Sequence, residues 1–136
     1  MVGLIAHYDF KAGTNSVGKS IWLRDILYSA KAFGVDTVVL VDREYDYVAN
    51  SPKTYETLEG ALSEFQGCEH VYLDPVGGTP LKDFKHPADN VVYIVGSDYA
   101  VFDVPPGATS VHIETVVPTE LYATTAVGIV LYDRIR

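Results

Sequence analysis

Only one cysteine, Cys68, occurs in the 136 residues. No disulfide can therefore close within the chain, and a reducing compartment is tolerated. No apolar run reaches the ~20 residues that a membrane span needs. Met1-Val2-Gly3 leads straight into a strand-like run with no basic segment before it, unlike a secretory signal. A cytoplasmic protein with no membrane partner is expected. Positive charge is scarce as well: 10 Lys and Arg stand against 18 Asp and Glu, a net of −8. That argues against a protein that coats naked nucleic acid, because phosphate contacts need a positive face. His7, His70, His86 and His112 show no metal-ligand spacing among themselves or with Cys68, so no metal site is expected. There is no Gly-x-Ser-x-Gly elbow, and the aromatic residues are not interleaved with basic ones as a base-stacking platform requires.

What is present is a globular composition, 48% hydrophobic and 21% charged, in a chain long enough for one core and too short for two. A single domain over residues 1–136 follows. The charge is unevenly spread. Lys11, Lys19, Arg24 and Lys31 face only Asp9 and Asp25 within residues 1–34, so any polyanion would meet this first third.

In chain order, Leu4-Ile5-Ala6 with Tyr8 and Phe10 reads as a first strand. After a Gly/Asn/Ser loop, Val17, Ile21, Trp22, Ile26, Leu27, Ala30 and Phe33 recur at helical spacing, with Gly34 as the stop. Val38 to Val41 is a short continuous apolar run, as in a parallel strand covered on both faces. Ser51-Pro52 offers a cap and first-turn proline for a second helix over Tyr55, Leu58, Ala61, Leu62 and Phe65, closed by Gly67. Val71-Tyr72-Leu73 and Val91–Val95 are further strands, and Pro75–Asn90 between them is a loop with one helical turn. Val111, Ile113 and Val116-Val117 predict a last strand, and Pro118-Thr119-Glu120 predicts the start of a last helix. That helix carries almost no charge from Leu121 to Leu131, so it needs a sheet on one side and a second partner on the other, which a sister subunit supplies. The alternation of elements gives an α/β fold with a mostly parallel sheet and flanking helices.

The candidate chemistry opens with Gly13-Thr14-Asn15-Ser16-Val17-Gly18-Lys19-Ser20, a literal match to the phosphate-loop pattern. Backbone amides would surround a phosphate, with the Lys19 ammonium on it and Ser20 on magnesium. The other reading of the same residues is a polar loop leading into a helix whose first turn shows a surface lysine.

Three later stretches carry a resemblance. Ala30-Lys31-Ala32-Phe33-Gly34-Val35-Asp36-Thr37-Val38-Val39-Leu40-Val41, Val92-Tyr93-Ile94-Val95-Gly96-Ser97-Asp98, and Glu120-Leu121-Tyr122 running on to Asp133 resemble, in order and spacing, the signature regions of the SpoU/TrmH-type RNA ribose methyltransferases of the SPOUT superfamily. The match departs from the family pattern in places: Tyr28 stands where the first region has its arginine, Asp98 replaces a glutamate, and Glu120-Leu121-Tyr122 replaces Ser-Leu-Asn.

The resemblance implies a parallel α/β fold ending in a trefoil knot and a homodimer joined through the C-terminal helix. It also implies S-adenosylmethionine bound by Leu73, Asp74, Pro75, Val95, Gly96, Ser97, His112, Ile113 and Leu121. The reaction implied is 2′-O-methylation of ribose in transfer or ribosomal RNA. Arg24 is then the best basic catalytic candidate, with Asp98 to position it across the dimer, while Lys11, Asn15 and Lys19 would meet the RNA. The alternatives are a non-catalytic structural or regulatory homodimer of the same fold and a phosphate-loop nucleotide-binding protein.

Overall fold

The computed structural model describes residues 1–99 and 102–136. Its sheet holds β1 (Val2–His7), β2 (Thr37–Val41), β3 (Lys53–Tyr55), β4 (Glu69–Leu73), β5 (Thr79–Pro80), β6 (Val91–Val95) and β7 (Thr109–His112). Their order across the sheet is β3-β2-β1-β6-β4-β7-β5, and every pairing between them is parallel. A parallel sheet must be covered on both faces, which explains why β1 and β6 are buried at every residue.

The strand side chains alternate between two cores. Leu4, Ala6, Val91, Tyr93 and Val95 point to one side, where helices α1 (Ser16–Ala32) and α3 (Ala123–Ile135) lie. Ile5, Val39, Val41, Val92 and Ile94 point to the other, against the short helix α2 (Leu58–Leu62) and the 3₁₀ turn Ser63–Phe65. Each fully buried Leu, Ile or Val contributes about 1.5–3 kcal/mol. α1 and α3 approach closely at Gly128, where a β-carbon would stand 3.9 Å from Ser29 Oγ.

The α/β class with a mostly parallel sheet is as the sequence predicts, and several local expectations are corrected. Ser51-Pro52 does not start a helix: it leads into β3, and α2 begins later with Thr57 as its cap, accepting from the Gly60 N–H. The loop Pro75–Asn90 contains β5 as well as a 3₁₀ turn at Leu81–Asp83. The last strand ends at His112; Val116 is fully exposed and Val117 exposed over more than half its surface, in a turn closed by the Thr115 hydroxyl on the Val117 carbonyl at 2.6 Å. α3 starts at Ala123, not at Thr119, and no side chain of its own neighbourhood caps it.

The phosphate-loop reading loses its geometry. α1 begins at Ser16, so Gly18 and Lys19 already lie inside the helix, where a phosphate cradle would need a loop. The Gly18 N–H is taken by Asn15 Oδ1 at 2.9 Å and the Thr14 N–H by the Lys11 carbonyl at 3.1 Å. Asp42, the acid at the end of β2, spends its carboxylate on the N–H groups of Glu44, Tyr45 and Tyr47.

Candidate active site

The carboxyl ends of β4, β6 and β7 open into one cavity of about 440 Å³, within the range of small-molecule sites. Ligands in parallel α/β sheets sit beyond these strand ends, because the chain leaves each strand there in a loop that exposes its backbone groups. Leu73, Asp74, Pro75 and Val76 form the wall after β4; Val95, Gly96, Ser97 and Asp98 form the wall after β6. Ile113 follows β7, and Thr119, Glu120 and Leu121 close the cavity ahead of α3, which adds Ala123, Ala126 and Val130.

Each wall is tied down locally. The Asp74 carboxylate turns its own loop by accepting the Val76 and Gly77 N–H groups at 3.0 and 3.1 Å. The Ser97 hydroxyl accepts the Tyr99 N–H at 2.9 Å. Gly96 keeps the floor open, since a β-carbon there would come within 3.2 Å of the Tyr72 hydroxyl and 3.5 Å of the Phe102 ring. Phe102 is itself held: its ring centroid lies 4.2 Å from that of His7, and the Arg43 guanidinium sits 4.9 Å from it. His7 is buried and its Nδ1 bonds the Val95 carbonyl at 2.8 Å, so this nitrogen carries a proton; burial pushes its pKa down and keeps the ring neutral.

Asp98 connects the β6 loop to α3. Its Oδ1 accepts the Ala123 N–H at 2.6 Å, capping from 25 positions away a helix that has no local cap. Burial pushes the Asp98 carboxyl above its ordinary value, against the opposing effect of that hydrogen bond. Burial also raises the Tyr72 phenol, assisted by the charges of Asp74 and Asp103.

All the residues expected to hold a cofactor line this cavity except His112, whose Nδ1 instead bonds the Gly77 carbonyl at 3.1 Å and ties β7 to the β4 loop. The two catalytic candidates are not brought together within one chain. Asp98 lines the cavity, whereas Arg24 lies exposed on α1, 3.6 Å from Asp25, beside a shallow depression with Ser16, Val17, Ser20 and Ile21. Lys11 precedes α1 and Lys19 lies in its first turn, with the Lys19 ammonium 5.5 Å from the centre of the Phe10 ring. Asn15 is the α1 cap. Sequence reasoning missed Tyr72, Phe102 and Glu120 as wall residues. Tyr72 read only as the middle of a strand, and nothing local to Phe102 signals that it turns back onto His7.

Among the described residues no three His, Cys, Asp or Glu side chains are placed to hold a metal, and no helix is long and apolar enough to cross a membrane.

No family model matches the sequence. No curated protein resembles it in sequence either. Solved structures do resemble it in fold. The TrmH/SpoU tRNA modifying enzyme of A. aeolicus matches with a TM-score of 0.73 at 15% identity, over 98% of this chain and 73% of that one. A structure determined for the 2-OH methylation of C/U34 on tRNA matches with a TM-score of 0.73 at 13% identity, over 99% of this chain and 94% of that one. The SpoU methyltransferase AviRb of Streptomyces viridochromogenes, solved in complex with the cofactor AdoMet, gives 0.72 at 15% identity, over 98% of this chain and 56% of that one. At these identities the likeness is one of fold, and this chain spans little more than half of the last structure.

Proposed function

We propose that this chain, whose fold is that of the TrmH/SpoU enzymes, is an S-adenosylmethionine-dependent methyltransferase acting on a ribose 2′-hydroxyl of transfer or ribosomal RNA. The observation that carries the reading is the cavity at the ends of β4, β6 and β7, in a fold shared with a protein solved with AdoMet bound. The wall chemistry fits that group. Leu73, Val95, Ile113 and Leu121 give apolar surface for an adenine, Gly96 lets backbone approach, and Asp74, Ser97 and Asp98 supply polar contacts. When bound, S-adenosylmethionine would supply an electrophilic methyl carried on a sulfonium, and the residues of this wall would hold it. The contribution of the chain is orientation and exclusion of water.

The reading includes residues 1–136 as one domain, a knotted C-terminal part and a homodimer in the cytoplasm. What supports the knot is that Ile113, Thr119, Glu120 and Leu121 line the same cavity as the β4 and β6 loops and that the Ala123 N–H is bonded by Asp98 of the β6 loop. Support for the dimer is an uncovered apolar face. Val17, Ile21 and Tyr28 of α1, Tyr122 just before α3, and Ile129 and Tyr132 of α3 are all exposed, and Phe33 at the end of α1 meets Tyr132 at a ring distance of 6.0 Å. Arg24 lies on the same helix as part of that face, so a second copy is the route by which it reaches a cavity. Asp98, committed to the start of α3, belongs to the cavity wall. Lys11, Asn15 and Lys19 would receive the RNA beside Arg24.

One observation favours the non-catalytic dimer instead: no Lys, Arg or His is among the described residues lining the cavity. The test is calorimetry with S-adenosylmethionine together with transfer of labelled methyl to transfer and ribosomal RNA fragments, for the wild type, Arg24→Ala and Lys19→Ala. Transfer lost in Arg24→Ala with cofactor binding intact supports the enzyme, and Lys19→Ala should mainly weaken RNA binding. Cofactor binding without transfer to any RNA supports the non-catalytic dimer, and no cofactor binding at millimolar concentration ends the methyltransferase reading.

A further inference from the structure

The described side chains that line the cavity carry charge of one sign only. Asp74, Asp98 and Glu120 are there, and no cationic side chain accompanies them. They are not equivalent. Asp74 is occupied by the two N–H groups of its own turn, and Glu120 is exposed to solvent, where its field is screened. Asp98 is half-buried and spends one oxygen on the Ala123 N–H; among the described residues its other oxygen has no hydrogen-bond partner, and no ion pair forms with it.

We propose that Asp98 reads the charge of the cavity's ligand, favouring a sulfonium-bearing nucleoside over the neutral thioether that remains after methyl transfer. The proposal rests on the methyl-donor reading above and adds to it a determinant of specificity. A carboxylate held partly out of water with no counter-charge is under-compensated, so a cation brought beside it is attracted more strongly than the same pair in bulk solvent. The raised Asp98 pKa agrees with this, since burial is its largest cause and no cation opposes it. Because the carboxylate is pinned to the first N–H of α3, it is fixed in place before the ligand arrives. The same charge repels phosphate-bearing nucleotides. Once the methyl has left, the sulfur is neutral and the attraction is gone, so the product is held less tightly than the donor.

The experiment is titration calorimetry of the full chain with S-adenosylmethionine and with S-adenosylhomocysteine, for the wild type, Asp98→Asn, Asp98→Glu and Glu120→Gln, with melting temperatures recorded for each. The wild type should prefer the sulfonium roughly tenfold, the effect of a partly screened charge pair at short range. Asp98→Asn should bring the two ligands to within about twofold by weakening the sulfonium alone, while Asp98→Glu and Glu120→Gln keep most of the preference. Should Asp98→Asn not fold, Asp98→Ser, which keeps an acceptor for Ala123, carries the same comparison. Equal binding of both ligands by the wild type, or a preference that survives loss of the Asp98 charge, overturns the assignment and leaves the methyl-donor site standing. Binding of neither ligand overturns both.

Discussion

Replacing Tyr93 by Phe deletes one oxygen from the centre of the molecule and tests what holds α3 over the cavity. The Tyr93 side chain is fully buried against the α1 and α3 side of the sheet, and its hydroxyl meets His86 Nδ1 at 2.7 Å. His86 Nε2 in turn meets Asp133 Oδ2 at 2.8 Å, and Arg136 Nε donates to Asp133 Oδ1 at 2.9 Å. Burial alone pushes the Asp133 carboxyl up, but the hydrogen bonds and charges of His86 and Arg136 outweigh it, so it lies below its ordinary 3.8 and is ionised at neutral pH. An ionised Asp133 accepts, so Nε2 carries a proton; in the neutral ring Nδ1 is then the acceptor and Tyr93 the donor. The chain therefore runs from β6 through a loop to the last turn of α3.

Phe keeps the ring and its packing, so no cavity term arises. The loss is one buried hydrogen bond and an unsatisfied ring nitrogen, about 1–3 kcal/mol. At this chain length that lowers Tm by roughly 3–10 °C. Urea unfolding of the wild type, Tyr93→Phe, Asp133→Asn and the double variant gives the coupling directly. Because both bonds pass through one imidazole, the single losses should not add, and the cycle should show at least about 0.5 kcal/mol of coupling. A Tyr93→Phe variant within about 0.3 kcal/mol of the wild type, or strictly additive losses, would refute the idea that these residues act as one latch.

Two further outcomes follow from other parts of the fold. Ile129→Glu places a charge in the exposed apolar face of α1 and α3; the wild type should sediment at twice 14.9 kDa and the variant at 14.9 kDa, with association weakened by several kcal/mol. A wild type that is monomeric at micromolar concentration rejects the interface. The pH dependence of stability should contain two opposed contributions. Asp133, with a lowered pKa, stabilises above its unfolded value of 3.8 and loses that contribution as pH falls through the folded one, so Asp133→Asn should flatten the acid limb. Asp98, with a raised pKa, favours the fold while protonated, and its contribution declines as pH rises from 3.8 through the folded value, so Asp98→Asn should steepen the net rise of stability with pH there. Stability curves on which neither substitution changes the slope contradict both assignments.

How much of this was legible in the chain depends on the range of the contacts. β6 is bounded in the sequence as in the structure, Val91–Val95, because a run buried on both faces is apolar throughout. Part of the cavity wall is legible for a related reason: Asp74 and Gly96 each stand at the end of such a run, whereas Ile113 follows a strand of mixed polarity and falls inside the strand that the sequence predicts. β3 and β5 are three and two residues long and have too few positions for any period, so only their neighbours define them. The start of α3 departs from the sequence expectation at Thr119 because its capping carboxylate comes from Asp98 in another loop, 25 positions away. The Tyr93–His86–Asp133 latch spans 47 positions between its histidine and its acid, and neither periodicity nor a local motif marks it.

The charge pattern adds a constraint on how a substrate and a methyl donor could be served together. A cavity walled by carboxylates repels an RNA backbone, whereas Lys11 before α1 and Lys19 and Arg24 on α1 are all absent from that cavity's lining in the same chain. If each working site joins one subunit's cavity to the other's Arg24, two dead variants should complement each other. Arg24→Ala keeps the cavity; Gly96→Val keeps the arginine but drives a side chain toward the Tyr72 hydroxyl and the Phe102 ring, 3.2 and 3.5 Å from the first added carbon. After dissociation and random reassembly of an equal mixture, about half the dimers carry one of each, and in those one site of two has both an intact cavity and an intact arginine, which gives about a quarter of the wild-type activity. If cavity and arginine instead serve the same chain, every site in the mixture carries one defect and no activity returns. The wild type should show a shallow salt dependence of RNA binding, a log–log slope of about −2 to −3 for three neutralised phosphates. Zero recovery from a mixture shown by mass spectrometry to contain the mixed dimer removes Arg24 from the shared site.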